Sequence, residues 1–329
     1  MHSILVSGGA GYIGSHTVRT LVKQGYKPVV LDSLVTGHRQ SVPLDVPFYQ
    51  GDIADSHLVR KIVEQEHVRA VIHFAARSLV GESVAKPDLY FEENTAKTNR
   101  FVSSLLKSGV KRLIFSSTAA TYGIPDEVPI PESAVTHPIN PYGFSKLMIE
   151  QSLAWLEKAY GLKWIALRYF NAAGAALDGS LGEDHIPETH LIPLILKTAL
   201  GQREAINVLG TDYSTPDGTC LRDYIHVLDL ANAHILALEG LETGIGSGVY
   251  NVGTGSGYSV KEVIETARKV TGQSIPVLES PRRPGDPDKL VAKVEKIQAL
   301  LGWAPNYSSL EQIIESAWAW HRSHPFGFG

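Results

Sequence analysis

The chain has 329 residues, is 43% hydrophobic and carries a formal net charge of −4. That length holds one large or two ordinary domains with a substantial core, and the mild acidity argues against a nucleic-acid or anionic-membrane surface. A single cysteine, Cys220, excludes an intrachain disulfide and reads as a small buried hydrophobe. No apolar run approaches the roughly 18 residues that span a bilayer. The first residues run straight into a strand with no leader-like segment, so the expectation is a cytoplasmic protein with no membrane partner.

Ile4 to Val6 predicts a buried strand. Gly8, Gly11 and Gly14 follow at three-residue spacing, and Gly9, Gly11 and Gly14 also satisfy G-x-G-x-x-G. Val18, Leu21 and Val22 then recur at helical spacing. Strand, glycine turn and helix together form a dinucleotide-binding pattern, in which a pyrophosphate sits on the helix N-terminus. A second strand, Pro28 to Leu31, ends in Asp32, near the roughly 20-residue spacing of the acid that binds an adenosine ribose. An acid there favours NAD, because it repels a 2′-phosphate.

A third strand is expected over 46–53. Asp52 at its end reads as a partner for an adenine amino group, as the N-cap of the helix expected over 56–66, or as both. A fourth strand over 68–76 runs into small residues. A long helix over 90–107 and a fifth strand over 110–116 follow, the latter ending in Ser116-Ser117-Thr118. Asn140 and Pro141 begin a helix that Gly161 stops, and residues 164–171 give a sixth strand. Near-continuous apolar strands alternating with helices predict an α/β protein with a Rossmann-like, doubly wound parallel sheet, with ligands beyond the carboxyl ends of the strands.

Composition changes after Asn171. Residues 1–171 read as the dinucleotide-binding domain and 172–329 as a smaller α/β substrate-binding domain, with about 224–253 returning to the first. Helices are expected over 191–200, 259–271, 293–301 and 310–321, a strand passing into helix over 224–238, and a strand over 249–253. Thirteen histidines are scattered. His185 and His190 are five apart around a proline, and His321 and His324 lie near the C-terminus. None makes a metal-binding pattern, so no metal is expected.

Tyr142 and Lys146, at i and i+4, share a helix face. A free phenol titrates near 10, too high for a base at neutral pH. A neighbouring ammonium and a positively charged nicotinamide would both lower that value. Tyr142 would then take a proton from a sugar hydroxyl while hydride leaves the same carbon, with Thr118 holding the hydroxyl and Lys146 also holding the nicotinamide ribose.

These features, with the Tyr122-Gly123 step, resemble the extended short-chain dehydrogenase/reductase superfamily. Within it the chain is similar to the UDP-glucose 4-epimerases, through G-G-A-G-Y-I-G-S-H-T (8–17), V-G-E-S-V (80–84), P-Y-G-F-S-K (141–146), L-R-Y-F-N (167–171), D-G-T-C-L-R-D-Y-I-H-V (217–227) and R-R-P-G-D (282–286). The resemblance implies interconversion of UDP-galactose and UDP-glucose in galactose (Leloir) metabolism. Tightly held NAD+ takes hydride from C4, the 4-keto sugar turns about its pyrophosphate link, and hydride returns to the opposite face. It places Tyr12, Ile13, Asp32, Ser33, Asp52, Ile53, Phe74, Ala75, Ala76, Ser78, Glu93 and Phe170 against NAD, with Gly8, Gly11, Gly14, Tyr142 and Lys146. It places Thr118, Tyr142, Asn171, His190, Leu191, Asn207, Val208, Arg222, Arg283, Asp286 and Leu290 against the UDP-sugar. Arginine suits a diphosphate because its fork bonds two oxygens at once. Read without the resemblance, Arg222-Asp223 is a local surface ion pair and Arg282-Arg283 a solvated loop. A homodimer through two first-domain helices of each subunit is also implied.

The chain departs from the family at Arg77-Ser78, where Leu-Lys is frequent, and at Glu93-Asn94, where Asn-Asn is usual. Thr189-His190-Leu191-Ile192-Pro193 replaces Asn-Asn-Leu-Met-Pro. Leu290 falls at a position that governs sugar size and leaves acceptance of N-acetylated sugars open. The rivals are a nucleotide-sugar 4,6-dehydratase or decarboxylase and a non-catalytic NAD-sensing protein. Ala119 and Ala120 stand where the dehydratases carry acids, and the decarboxylases also use a glutamate in that stretch. NAD sensors commonly lose the Tyr-x-x-x-Lys pair, which this chain keeps.

Overall fold

The structure, a computed structural model, describes residues 3–283 and 285–329. β1 (Ser3–Ser7) passes through the glycine turn into α1 (Tyr12–Lys23). β2 (Lys27–Asp32), β3 (Phe48–Gln50), α2 (Ser56–Gln65) and β4 (Val68–His73) follow. Then come α3 (Val80–Ala85), α4 (Pro87–Tyr90), α5 (Lys97–Lys107) and β5 (Arg112–Ser116). The helix expected over 90–107 is present as a continuous helical run, but Phe91–Ala96 between α4 and α5 is π-helical. Apolar periodicity cannot register such a bulge, and bulges of this kind often re-aim side chains at sites.

α6 (Pro141–Tyr160) starts at Pro141, with the Asn140 side chain accepting from Gly143 N, and stops at left-handed Gly161. Beyond it lie β6 (Lys163–Tyr169), β7 (Asn171–Ala173), α7 (Leu191–Ala199), β8 (Ile206–Leu209), β9 (Leu221–Arg222), β10 (Tyr224–His226), α8 (Val227–Glu242) and β11 (Gly248–Val252). The chain ends with β12 (Tyr258–Ser259), α9 (Val260–Thr271), β13 (Val277–Ser280), β14 (Lys289–Leu290), α10 (Glu295–Leu301) and α11 (Leu310–Ser323). Ser259 and Glu262 form a capping box that fixes the start of α9.

Seven strands make one parallel sheet in the order β11-β6-β5-β4-β1-β2-β3. The strands are apolar throughout because both faces are covered. Ile4, Val6, Val30, Ile72, Ile114 and Leu167 pack against Val18 and Leu21 of α1 and Leu230 and Leu238 of α8. Leu5, Leu31, Val71, Leu113 and Phe115 pack against Val59 and Ile62 of α2, Phe101 and Leu105 of α5, and Ile149 and Leu153 of α6. This is the Rossmann-like, doubly wound sheet expected from the sequence. Because the strands are parallel, Ser7, Asp32, His73, Ser116 and Tyr169 end at the same edge.

A separate core joins Ile192 and Ile195 of α7, Val208 of β8, Val263 and Ile264 of α9, and Ile313 and Ile314 of α11. Small sheets flank it: β8 with β13, and β12-β9-β14. Among the described residues no helix is long and apolar enough to cross a membrane.

Candidate active site

The glycine turn is shaped by close approach. Gly8 has φ +75°, and a Cβ there would lie 2.5 Å from Ala75 N. A Cβ on Gly14 would lie 2.1 Å from Gly8 O, so α1 can come this near β1 only without a side chain. At Gly11 a Cβ would meet only Gly8 O, at 3.4 Å. Gly11 caps α1 without a side-chain hydrogen bond, and the first turn has no acidic residue. The free N–H groups and the positive helix end fit a pyrophosphate. Asp32 is buried, with Oδ2 accepting from Ala10 N at 2.9 Å and Oδ1 from Leu34 N at 2.8 Å. Burial raises its pKa, and these two hydrogen bonds oppose that. The turn and this oriented acid fit NAD.

At the carboxyl end of β5, Thr118 leaves the strand in extended conformation and its Oγ1 accepts from Ala120 N at 3.1 Å. The Thr118 side chain also draws the pKa of the Tyr142 phenol down. Tyr142 and Lys146 lie on the buried face of α6. Lys146 Nζ donates to Ser116 O at 2.8 Å and stands 4.9 Å from the Phe115 ring centroid. The end of β5 and the buried face of α6 therefore bring the three expected catalytic side chains together. Burial dominates the electrostatics of the pair in the protein alone. Burial raises the Tyr142 phenol, and only Thr118 pulls it down. Burial also lowers the pKa of Lys146, to about 7, against the pull of Glu150.

Residues 4–253 match the NAD dependent epimerase/dehydratase family. The chain belongs to this family. It is 55% identical to a UDP-glucose 4-epimerase of Halalkalibacterium halodurans, over 99% of this chain and 97% of that protein. A crystal structure of UDP-glucose 4-epimerase superposes with a TM-score of 0.98 at 50% identity, covering both chains fully. The Bifidobacterium longum UDP-glucose 4-epimerase in complex with NAD+ and UDP gives a TM-score of 0.93 at 39% identity, over 99% of this chain and 100% of that one.

Within the family frame, several positions differ from the sequence reading. The N-cap of α2 is Asp55, whose Oδ1 accepts from His57 N and Leu58 N, and not Asp52. Asp52 Oδ2 instead pairs with Lys97 Nζ at 2.7 Å, and Lys97 also holds Glu93 at 2.8 Å. Arg222 does not pair with Asp223. Its Nη2 reaches Asp286 Oδ1 at 2.6 Å. Asp223 is buried and accepts from Thr254 N, Thr254 Oγ1, Gly255 N and Ala292 N, tying the junction of β9 and β10 to the segments after β11 and β14. Arg282 lies exposed in a loop, as the reading without the resemblance has it, and pairs there with Asp212 at 2.6 Å. Arg283 is exposed, and its carbonyl accepts from Asp286 N.

Phe170 and Leu290 pack on the Ala119–Tyr122–Ile130 cluster beside Thr118, and Asn171 Nδ2 donates to Asp223 O at 3.0 Å. Ile13 and Phe74 pack on one sheet face, and Ile53 and Ala75 on the other. Ala76 is half-buried in the turn after β4, while Ser33 and Ser78 are exposed. Tyr12 Oη donates to Gly174 O at 2.6 Å, tying α1 to the second half of the chain. Val208 is buried in the α7–α9–α11 core, so alternation along β8 leaves Asn207 exposed.

Two supports escaped the sequence reading. Asn94, in the π-helical turn, bonds Arg77 N at 2.8 Å, Arg77 O at 3.0 Å and Ser145 Oγ at 3.1 Å, fixing the loop after β4 to α6. Glu150 accepts from Ser117 Oγ and forms a buried ion pair with Arg168, whose guanidinium lies 4.7 Å from the Tyr122 ring centroid. A signal was available for the second: Tyr142, Lys146 and Glu150 recur at four-residue spacing. His190 and Leu191 open α7. His190 does not stand alone, because Glu183, His185, Glu188 and His190 converge, their potential ligand atoms all within 4.8 Å of one another.

Proposed function

We propose that the enzyme interconverts UDP-galactose and UDP-glucose at C4, with Tyr142 as base. The observation that carries this reading is the grouping of Thr118, Tyr142 and Lys146 at the carboxyl end of β5, in a chain whose glycine turn suits a dinucleotide. The relatives' names add the substrate and cofactor classes. Bound NAD supplies the acceptor and the donor for the C4 hydride. Thr118 positions the 4-hydroxyl, whose proton passes to Tyr142 Oη and later returns. Burial disfavours the phenolate in the protein alone, so its stabilisation falls to the positive charge of a bound nicotinamide together with Lys146, held in place by Ser116 O. The fork of Arg222, with Arg283, Asn171 and Asp286, holds the diphosphate and uridine. Firm nucleotide binding beside a loosely held sugar permits the intermediate to turn.

The same reading carries the division into a cofactor-binding part (1–171) and a UDP-sugar part (172–329), with 224–253 shared; β11 in the seven-stranded sheet supports that sharing. It also carries a homodimer, supported by Phe144 and Trp155, which α6 leaves exposed, and a cytoplasmic place in galactose metabolism, which fits the free Cys220. NMR of the purified protein with UDP-galactose and no added NAD tests it. UDP-glucose appearing to a steady ratio is expected. No conversion, even with NAD supplied, overturns the reading. Tyr142→Phe is expected to lower kcat at least ~100-fold while NAD stays bound; unchanged turnover removes Tyr142 as the base.

A further inference from the structure

The loop between β7 and α7 gathers four side chains that the reaction does not use together. Glu183 Oε1 lies 3.2 Å from His185 Nδ1 and 2.7 Å from His190 Nδ1. Glu188 Oε1 is 3.1 Å from His190 Nδ1, and Glu188 Oε2 is 3.7 Å from His185 Nδ1. Four ligands at roughly 2.05 Å from one ion stand about 3.3 Å apart at the corners of a tetrahedron, within the range seen here. The side chains of Glu183 and Glu188 are only 4% and 3% exposed.

Only one of these approaches is a hydrogen bond, that between His190 Nδ1 and Glu188 Oε1 at 3.1 Å. Glu183 Oε1 and His185 Nδ1 are both buried, yet neither has a hydrogen-bond partner, although they lie 3.2 Å apart. Buried polar atoms are normally satisfied. Two such atoms, close but out of line with each other, have the arrangement of ligands aimed at a common point. Neighbouring groups orient the set, as in built metal sites. Glu188 Oε1 accepts from Thr189 N at 2.7 Å and His190 N at 2.8 Å, and Glu183 O accepts from Trp320 Nε1 at 3.2 Å. His190, 46% exposed, leaves a route for an ion from solvent.

We propose that Glu183, His185, Glu188 and His190 bind one divalent transition-metal ion, with zinc the best fit. Two imidazoles and two carboxylates suit zinc's borderline character and its four-coordinate preference. The carboxylates also neutralise the ion's charge, which burial of a cation requires. The ion would brace the loop leading into α7 and, through His185 edge-on to Tyr12 at 6.2 Å, link it to the start of α1. This proposal does not depend on the epimerase reading.

The test uses the full chain, stripped with chelator and then dialysed against zinc. Elemental analysis is expected to find about one zinc per chain. Cobalt titration is expected to give the visible bands of a tetrahedral Co2+ site, removed by competing zinc. His185→Asn is expected to weaken binding at least about 10-fold, and Glu183→Gln likewise, whereas His57→Asn at an exposed position leaves it intact. The wild-type cobalt spectrum answers the question even where a variant misfolds. Absence of bound zinc and of cobalt bands in the folded wild-type chain overturns the proposal and leaves an imidazole–carboxylate ion-pair network. Equal binding by the folded His185→Asn and Glu183→Gln variants overturns it as well.

Discussion

The buried pair Glu150–Arg168 holds α6, and with it Tyr142 and Lys146, against β5 and β6. Both side chains are nearly inaccessible, at 4% and 5%. Replacing Glu150 by Met leaves the Arg168 guanidinium buried without a counter-charge and Ser117 without its acceptor. Losing one partner of such a pair costs about 3–5 kcal/mol. At roughly 2 °C per kcal/mol for a chain of this size, the Tm is expected to fall by about 6–10 °C. Arg168→Met is expected to cost a similar amount and also loses the stacking on Tyr122, about 1–2 kcal/mol when desolvated. The double variant Glu150→Met/Arg168→Met leaves no uncompensated charge, and apolar replacement of a whole buried pair is often near neutral. It is therefore expected to be more stable than either single variant. Thermal unfolding of the four proteins, each with NAD bound, closes the cycle. Additive losses, with the double variant the least stable, would refute the argument that the cost is stranded charge and not lost packing.

Other expectations address the site and its surroundings. Gly14→Ala puts a Cβ 2.1 Å from Gly8 O, a backbone atom that cannot move aside without distorting the turn; NAD retained through purification is expected to drop sharply, and full retention would show that the turn relaxes. Lys146→Met removes both the ammonium and its bond to Ser116 O. The kcat is expected to fall at least ~100-fold, with loss of whatever inflection the wild-type pH–kcat profile shows near 7, where burial places Lys146; the same inflection in the variant would assign it to another group. His73 is buried between Ser7 Oγ at 2.6 Å and Thr98 Oγ1 at 3.0 Å, and burial, with Lys146 adding to it, lowers its pKa from 6.5 to about 3. Between those values the unfolded chain binds a proton that the folded chain refuses, so stability falls as pH drops through that window. Burial lowers His16 and His234 in the same direction. The Tm of His73→Asn is expected to depend less steeply on pH between about 6.5 and 4, and an unchanged slope would exclude His73 as a contributor.

Local pattern carried much of this protein. The glycine spacing, the acid after β2, the strands buried on both faces and the Tyr–Lys pair on one helix face are short-range regularities. Each rests on physics that acts within a few residues: backbone freedom at glycine, the two-residue period of a strand, the 3.6-residue turn of a helix. Asn140, Pro141 and Gly161 delimit α6 for the same reason.

Other features depend on partners far away in the chain, and only the tertiary structure decided them. Arg222 turns to Asp286 and not to its neighbour Asp223, because Asp223 is committed to Thr254, Gly255 and Ala292. β9, β12 and β14 are two residues each, too short for any period to register, and exist only by pairing with one another. Burial raises the phenol of Tyr142 and lowers the ammonium of Lys146, an effect of packing that helical spacing alone does not carry. The histidines at 185 and 190 look ordinary along the chain, since their spacing matches no ligand motif. Folding of the loop between β7 and α7 turns them toward Glu183 and Glu188, and that convergence belongs to the fold and not to the spacing.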